Sequence, residues 1–158
     1  MKRWIAVLLI ALSSGTASAS PLPEWNNGGV RMDLSDDPDW AYALAEIKYL
    51  HDGSKAVVFV LMPSAAQQEC RLGYSSYYRR VTFSVNGEAI RGGVRCSSSN
   101  GSKETHYVFW ALSRQGVAFI VSALKASMSI TVNHPLLTFE LSAMGFTNAW
   151  DRLGGDDF

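Results

Sequence analysis

Apolar and polar residues alternate with a period of two along most of this chain. From Arg80 to Val85, Val81, Phe83 and Val85 face one way and Thr82 and Ser84 the other, the signature of a half-buried strand. Asn86-Gly87 follows, a dipeptide suited to a tight hairpin, and leads into a second strand from Glu88 to Arg91. Gly92-Gly93 reads as a break, with Val94 to Cys96 resuming the strand. Lys55 to Met62 is a continuous apolar run closed by Pro63, and Thr105 to Leu112 reads as another buried strand. Ser129 to Val132 and Leu136 to Leu141 are two more, separated by Asn133-His134-Pro135.

Trp40 to Leu50 supports two readings. Asp37 as an N-cap, Pro38 in the first turn and a Trp40, Leu44, Ile47 stripe suit a helix. Ala41, Ala43, Ala45, Ile47 and Tyr49 on one parity, with Glu46 and Lys48 on the other, suit a strand, and Asp52-Gly53 then supplies the hairpin into Lys55. The strand is the reading adopted.

The period changes twice. After Ser113, an N-cap candidate, Val117, Ile120, Val121 and Leu124 recur at helical spacing, which predicts a helix to Ala126. Phe146, Ala149, Trp150 and Leu153 form a second helical stripe, stopped by Gly154. These elements predict an α+β fold of mainly antiparallel strands, a β-sandwich or half-barrel closed by two short amphipathic helices. Phe59, Phe83, Phe109, Ile120, Leu124, Phe139 and Trp150 are its expected core.

The first residues change the picture of where this domain works. Lys2 and Arg3, the apolar stretch Ile5 to Leu12 and the small residues Ala17-Ser18-Ala19 have the form of an export signal over residues 1–19. Residues 20–39, with Pro21, Pro23, Gly28, Gly29 and Pro38, read as an extended entry segment tied down by Trp25 and Val30. Residues 40–155 make one β-rich domain, and 156–158 a short acidic tail. No apolar run after the signal approaches the ~20 residues that span a bilayer. The expected location is therefore periplasmic or secreted.

Export gives the two cysteines meaning. Cys70 and Cys96 are the only pair in the chain, and an oxidising compartment favours joining them in a structural disulfide. Free buried thiols or a redox couple are the rival readings.

Charge narrows the partners. The chain has 14 basic and 14 acidic side chains; without Lys2 and Arg3 the basic count is 12, a net −2. Nucleic acid is a poor fit, because such binding rests on neutralising phosphates. Asn100-Gly101-Ser102 has the form of a glycosylation sequon and is given no weight.

Catalytic patterns are sparse. His51, His106 and His134 are scattered without ligand spacing and read as surface or hydrogen-bonded residues; no Gly-x-Ser-x-Gly elbow or phosphate loop is present. Glu46, Glu69 and Glu104 are the carboxylates a glycan hydrolase could pair, with nothing to place two of them together. The expectation is no enzyme, no metal and no cofactor.

Binding has a stronger candidate. Arg71, Tyr74, Tyr77, Tyr78, Arg79 and Arg80 fall within ten residues, and residues 71–95 carry a net +4. Tyr and Arg offer broad contact area and fork-like hydrogen bonding at interfaces. The alternative is that a tyrosine packs inward while the arginines are solvated or pair with the acidic stretch from Glu24 to Asp52.

Several short motifs carry a resemblance. They are Val60-Leu61-Met62-Pro63, the strand and turn from Val81 to Glu88, Cys96, the helix from Ser113, and Gly145-Phe146-Thr147-Asn148-Ala149-Trp150 before Leu153. In this order they resemble the invasion-associated locus B family of exported bacterial proteins, over residues 55–153. The resemblance implies a small periplasmic β-sandwich-like domain linked with host interaction, and carries over no catalytic residue.

The expected function is an exported protein-binding module using Tyr74, Tyr77, Tyr78, Arg79 and Arg80. Its partner would be an envelope component, a secretion-system component or an enzyme it inhibits. A small cell-wall glycan hydrolase or ligand-binding protein is the alternative, and an accessory subunit of an envelope assembly a third reading.

Overall fold

A computed structural model describes residues 22–34, 36–64, 78–98 and 105–153. Eight strands form one antiparallel, nearly closed sheet, an α+β half-barrel. In chain order they are β1 (Gly29–Asp33), β2 (Trp40–Tyr49), β3 (Lys55–Pro63), β4 (Arg79–Val85), β5 (Glu88–Ser98), β6 (Thr105–Ala111), β7 (Ser129–His134) and β8 (Leu137–Ser142). Two helices join them, α1 (Arg114–Ala126) before β7 and α2 (Phe146–Arg152) after β8. The order across the sheet is β1-β2-β3-β6-β5-β4-β7-β8. Residues 1–21, 35, 65–77, 99–104 and 154–158 lie outside the described residues, and with them the expected export signal, Cys70, Glu69, Glu104, Gly154 and the acidic tail.

Local chemistry sets most of these elements. Asn86 and Gly87 both have positive φ, 50° and 84°, which matches the right-handed twist of the β4–β5 hairpin. Gly53 (φ 76°) turns β2 into β3, and the Asp52 carboxylate accepts hydrogen bonds from the Ser54 hydroxyl and amide. Those bonds hold the Asp52 carboxyl below the usual range. Ser113 caps α1 by accepting from the Gly116 amide at 3.0 Å. The alternating apolar parity of Trp40 to Tyr49 wins over the helical stripe because β2 pairs along its length with β3.

The core fills the concave side. Phe59, Phe83, Phe109, Ile120, Leu124 and Phe139 are all buried there, as the pattern predicts. Helix α1 spans from β6 to β7 and packs Ile120 and Leu124 onto the sheet. The seam between β1 and β8 is bridged by Trp25. Its amide donates to Met144 O (2.9 Å), its indole Nε1 to Ser142 O (2.8 Å), and its ring meets Phe146 edge-on at 4.9 Å.

Four expectations are corrected. Residues 29–33, read as part of the extended entry segment, form β1 and pair with β2. Strand β5 runs unbroken through Gly92-Gly93, because each glycine makes room for an aromatic ring instead of ending the strand. Trp150 is only half-buried. It packs against the core's edge, 5.6 Å from the Phe146 ring, while Lys55 donates to the Trp150 carbonyl and lies 4.4 Å over the indole, which is thus shared between core and lysine. His134 is no surface turn residue: it is the last residue of β7, 4% exposed, with its ring 4.5 Å from that of Phe109. Pro135 and Leu136 alone make the turn.

His134 makes stability depend on acid. Its Nδ1 accepts from the Leu136 amide (3.3 Å), its Nε2 has no partner among the described residues, and burial pushes its pKa from 6.5 down to about 4. The folded state therefore keeps the ring neutral while the unfolded chain takes up a proton. Stability from this site is complete above pH 6.5 and is lost as pH falls toward 4, by roughly 3 kcal/mol at most. Denaturant midpoints measured across that window should fall for the wild type and fall distinctly less for His134→Phe.

Candidate functional site

Strand β3 is apolar on both faces. Val57, Phe59 and Leu61 point into the core, while Val58 and Val60 point outward and are still buried, each 6% exposed. A strand in a one-sided antiparallel sheet alternates instead; here neighbouring side chains cover the outer valines. Val108 on β6 completes a small outer cluster with Val58 and Val60, flanked by Leu44, Leu50 and Trp110.

Register builds the rest of this face. Across the strands, Glu46, Val58, Trp110, Gly93 and Arg80 stand in one row, and Leu44, Val60, Val108 and Arg95 in the next. A Cβ on Gly93 would stand 2.9 Å from Tyr78 Cδ2 and 3.0 Å from Trp110 Cζ2. The bare backbone thus lets both rings fold over the sheet, where they meet edge-on at 5.6 Å. The Arg95 guanidinium lies 5.8 Å from the centre of the Trp110 ring.

Three arginines surround that glycine. Arg91 and Arg95 are two residues to either side of Gly93 on β5, and Arg80 is its partner on β4. All three are exposed, and none enters an ion pair among the described residues. Lys48 on this face is paired with Glu46 at 2.8 Å.

A groove of about 840 Å³ runs beside these residues, with Val58, Val60 and Val108 among its lining, Trp110 and Tyr78 at one side and His106 within it. His106 Nδ1 is buried with no partner among the described residues. Burial lowers the His106 pKa below 6.5, against the opposing pull of the Glu46 carboxylate.

Of the residues singled out by sequence, Tyr78, Arg79 and Arg80 are exposed at the start of β4, with Tyr78 at 48%. Tyr78 joins the aromatic pair and Arg80 the arginine group. Arg79 has the parity of Val81 and Phe83 and belongs to the opposite side of the strand. Arg71, Tyr74, Tyr77 and Cys70 lie outside the described residues. Cys96 is the register partner of Tyr107 and is not a free thiol.

Trp110 is the member that sequence reasoning missed. Its signal was its parity in Thr105 to Leu112, opposite to that of Tyr107 and Phe109. Among the described residues, no group of three His, Cys, Asp or Glu side chains is placed to hold a metal. No helix there is long and apolar enough to cross a membrane. No protein-family model, curated protein or solved structure matches the chain.

The two glycines of β5 should respond differently to one added methyl. At Gly92 a Cβ would stand 2.6 Å from the Phe83 ring and 2.8 Å from Trp110 O, groups fixed by the core and the ladder. Gly92→Ala is expected to cost about 2 kcal/mol or more. Gly93→Ala meets only the edges of movable side chains and should cost under ~1 kcal/mol, while changing the near-ultraviolet circular dichroism of the Tyr78–Trp110 pair. Urea midpoints of the two variants give the comparison.

Proposed function

We propose that this chain is an exported protein-binding module, working in the periplasm or outside the cell through the outer face of β4, β5 and β6. The observation that carries this reading is the Tyr78–Trp110 pair over Gly93, ringed by Arg80, Arg91 and Arg95, which have no ion-pair partner among the described residues. Tyr, Trp and Arg supply most of the energy at protein interfaces, and an aromatic side chain has few torsions to lose on binding. Tyr74, Tyr77 and Arg79 belong to the same proposal as neighbours in sequence. A Cys70–Cys96 disulfide and kinship with the invasion-associated locus B family are part of it as well. The partner is an envelope component, a secretion-system component or an inhibited enzyme.

The test is a crosslinking pull-down from the envelope fraction with protein beginning at Ser20, beside Arg79→Glu and Arg80→Glu, singly and together. One partner captured by the wild type and lost in the double variant is the expected result. Because Arg80 shares the face of Tyr78 and Arg79 does not, Arg80→Glu should account for most of the loss. Equal capture by the wild type and the double variant would overturn the site. Capture of nothing by any of them would overturn the binding reading.

A further inference from the structure

The outer face also specifies what kind of partner would fit it. Resting on the protein-binding reading above, we infer that it takes an acidic, extended segment of another protein, anchored by one apolar side chain beside Trp110. Three observations lead there. First, the charges flanking Gly93 on β4 and β5 are positive. Arg80, Arg91 and Arg95 enter no ion pair among the described residues; of the acids lining the groove, Glu46 is paired with Lys48, and Asp52 keeps its charge in the β2–β3 turn, held by Ser54. Glu88 lies on β5 with the parity of Ile90 and Val94, which face the core.

Second, the arginines have a strand-like spacing. Side chains on one face of a strand repeat every ~6.8 Å, so the Cα atoms of Arg91 and Arg95 stand roughly 13 Å apart with Gly93 between them. An extended segment lying along β5 presents residues at the same interval. Carboxylates four positions apart would meet the two arginines, and the side chain between them would meet the aromatic pair over Gly93. Arg80, across from Gly93, adds a third guanidinium to the same segment.

Third, the surface beside the arginines is apolar. The half-buried Trp110 rests at the rim of the groove, backed by Val58, Val60 and Val108, which are themselves only 6–9% exposed. A sulfated or phosphorylated glycan has no group for that surface, whereas a peptide with one Leu, Ile or Phe between acids does. Arginine pairs with carboxylates in a two-pronged geometry, so acidic residues gain both attraction and orientation here.

Selection of short random peptides displayed on phage against the immobilised protein, followed by fluorescence anisotropy of the enriched sequences, tests the inference. The enriched peptides should carry Asp or Glu on both sides of a single large apolar residue. Their affinity should fall about ten-fold or more in Arg80→Glu/Arg95→Glu and fall steeply with added salt. Both arginines are exposed, so unchanged urea midpoints would confirm that the variant is folded. Enrichment of neutral or basic peptides, or equal affinity of acidic peptides for the double variant, would overturn the acidic-partner inference. If the envelope pull-down still captures its arginine-dependent partner, the binding reading survives that failure. Binding of heparin fragments or anionic vesicles in preference to any peptide would overturn the inference in favour of a different polyanion.

Discussion

Three phenylalanine rings hold this barrel together. Phe109 on β6 stacks on Phe59 of β3 with centroids 5.0 Å apart, and meets Phe83 of β4 edge-on at 5.1 Å. The second contact is the demanding one, because β5 lies between β4 and β6 in the sheet. Phe83 reaches Phe109 by leaning over Gly92, where a Cβ would collide with its ring. Each such pair contributes about 1 kcal/mol beyond the area it buries, and loss of a buried ring costs about 3–5 kcal/mol. The missing side chain in β5 is therefore a condition of the core and not a weakness in the strand. His134 completes the cluster from β7, so acid reaches the centre of the barrel through a titratable ring packed against Phe109.

The outer face follows from the same pair of glycines. Gly92 serves the core, and Gly93, on the opposite parity, serves the convex side by receiving Tyr78 and Trp110. A strand apolar on both sides, β3, then extends this aromatic wall into a floor of valines. Core packing and the candidate interface are thus back to back across one sheet, separated by the thickness of β5 and β6. A change that tilts Phe83 would move β5 and with it the platform under the aromatic pair.

Much of this was legible wherever the signal was local. Strand parity, the Asn86-Gly87 hairpin, the Asp52-Gly53 turn and the Ser113 cap each depend on a few adjacent residues, and each is present. What the sequence hid depends on distant partners. Gly92-Gly93 looks like a break until Phe83 and Trp110 arrive over it. His134 looks like a turn residue until β7 is laid against β8 down to Leu137. Residues 29–33 look like entry chain until β2 offers them an edge. The candidate site divides the same way. Tyr78 and Arg80 are conspicuous by composition, whereas Trp110 and Arg95 join them only through the pairing of β5 with β6.

The placement of charge around the barrel bears on why the arginines enter no ion pair among the described residues. From Glu24 to Asp52 the chain carries seven acids against Arg31 and Lys48, an obvious internal partner for a basic stretch. That segment supplies β1 and β2, the first two of eight strands in a nearly closed sheet, while β5 and β4 are the fifth and sixth. Most of that segment therefore lies away from β4 and β5, while Glu46 and Asp52 reach the groove beside Arg95, where Glu46 is paired with Lys48. Trp25 maintains this arrangement by holding β1 against β8, the far side from β5. At physiological salt, screening over ~8 Å leaves little attraction across a barrel diameter. A protein with a net charge near zero can thus present a basic face whose arginines enter no ion pair among the described residues. Local field, not net charge, decides what approaches a binding face, so the zero formal net charge of the chain is compatible with recognition of an acidic surface.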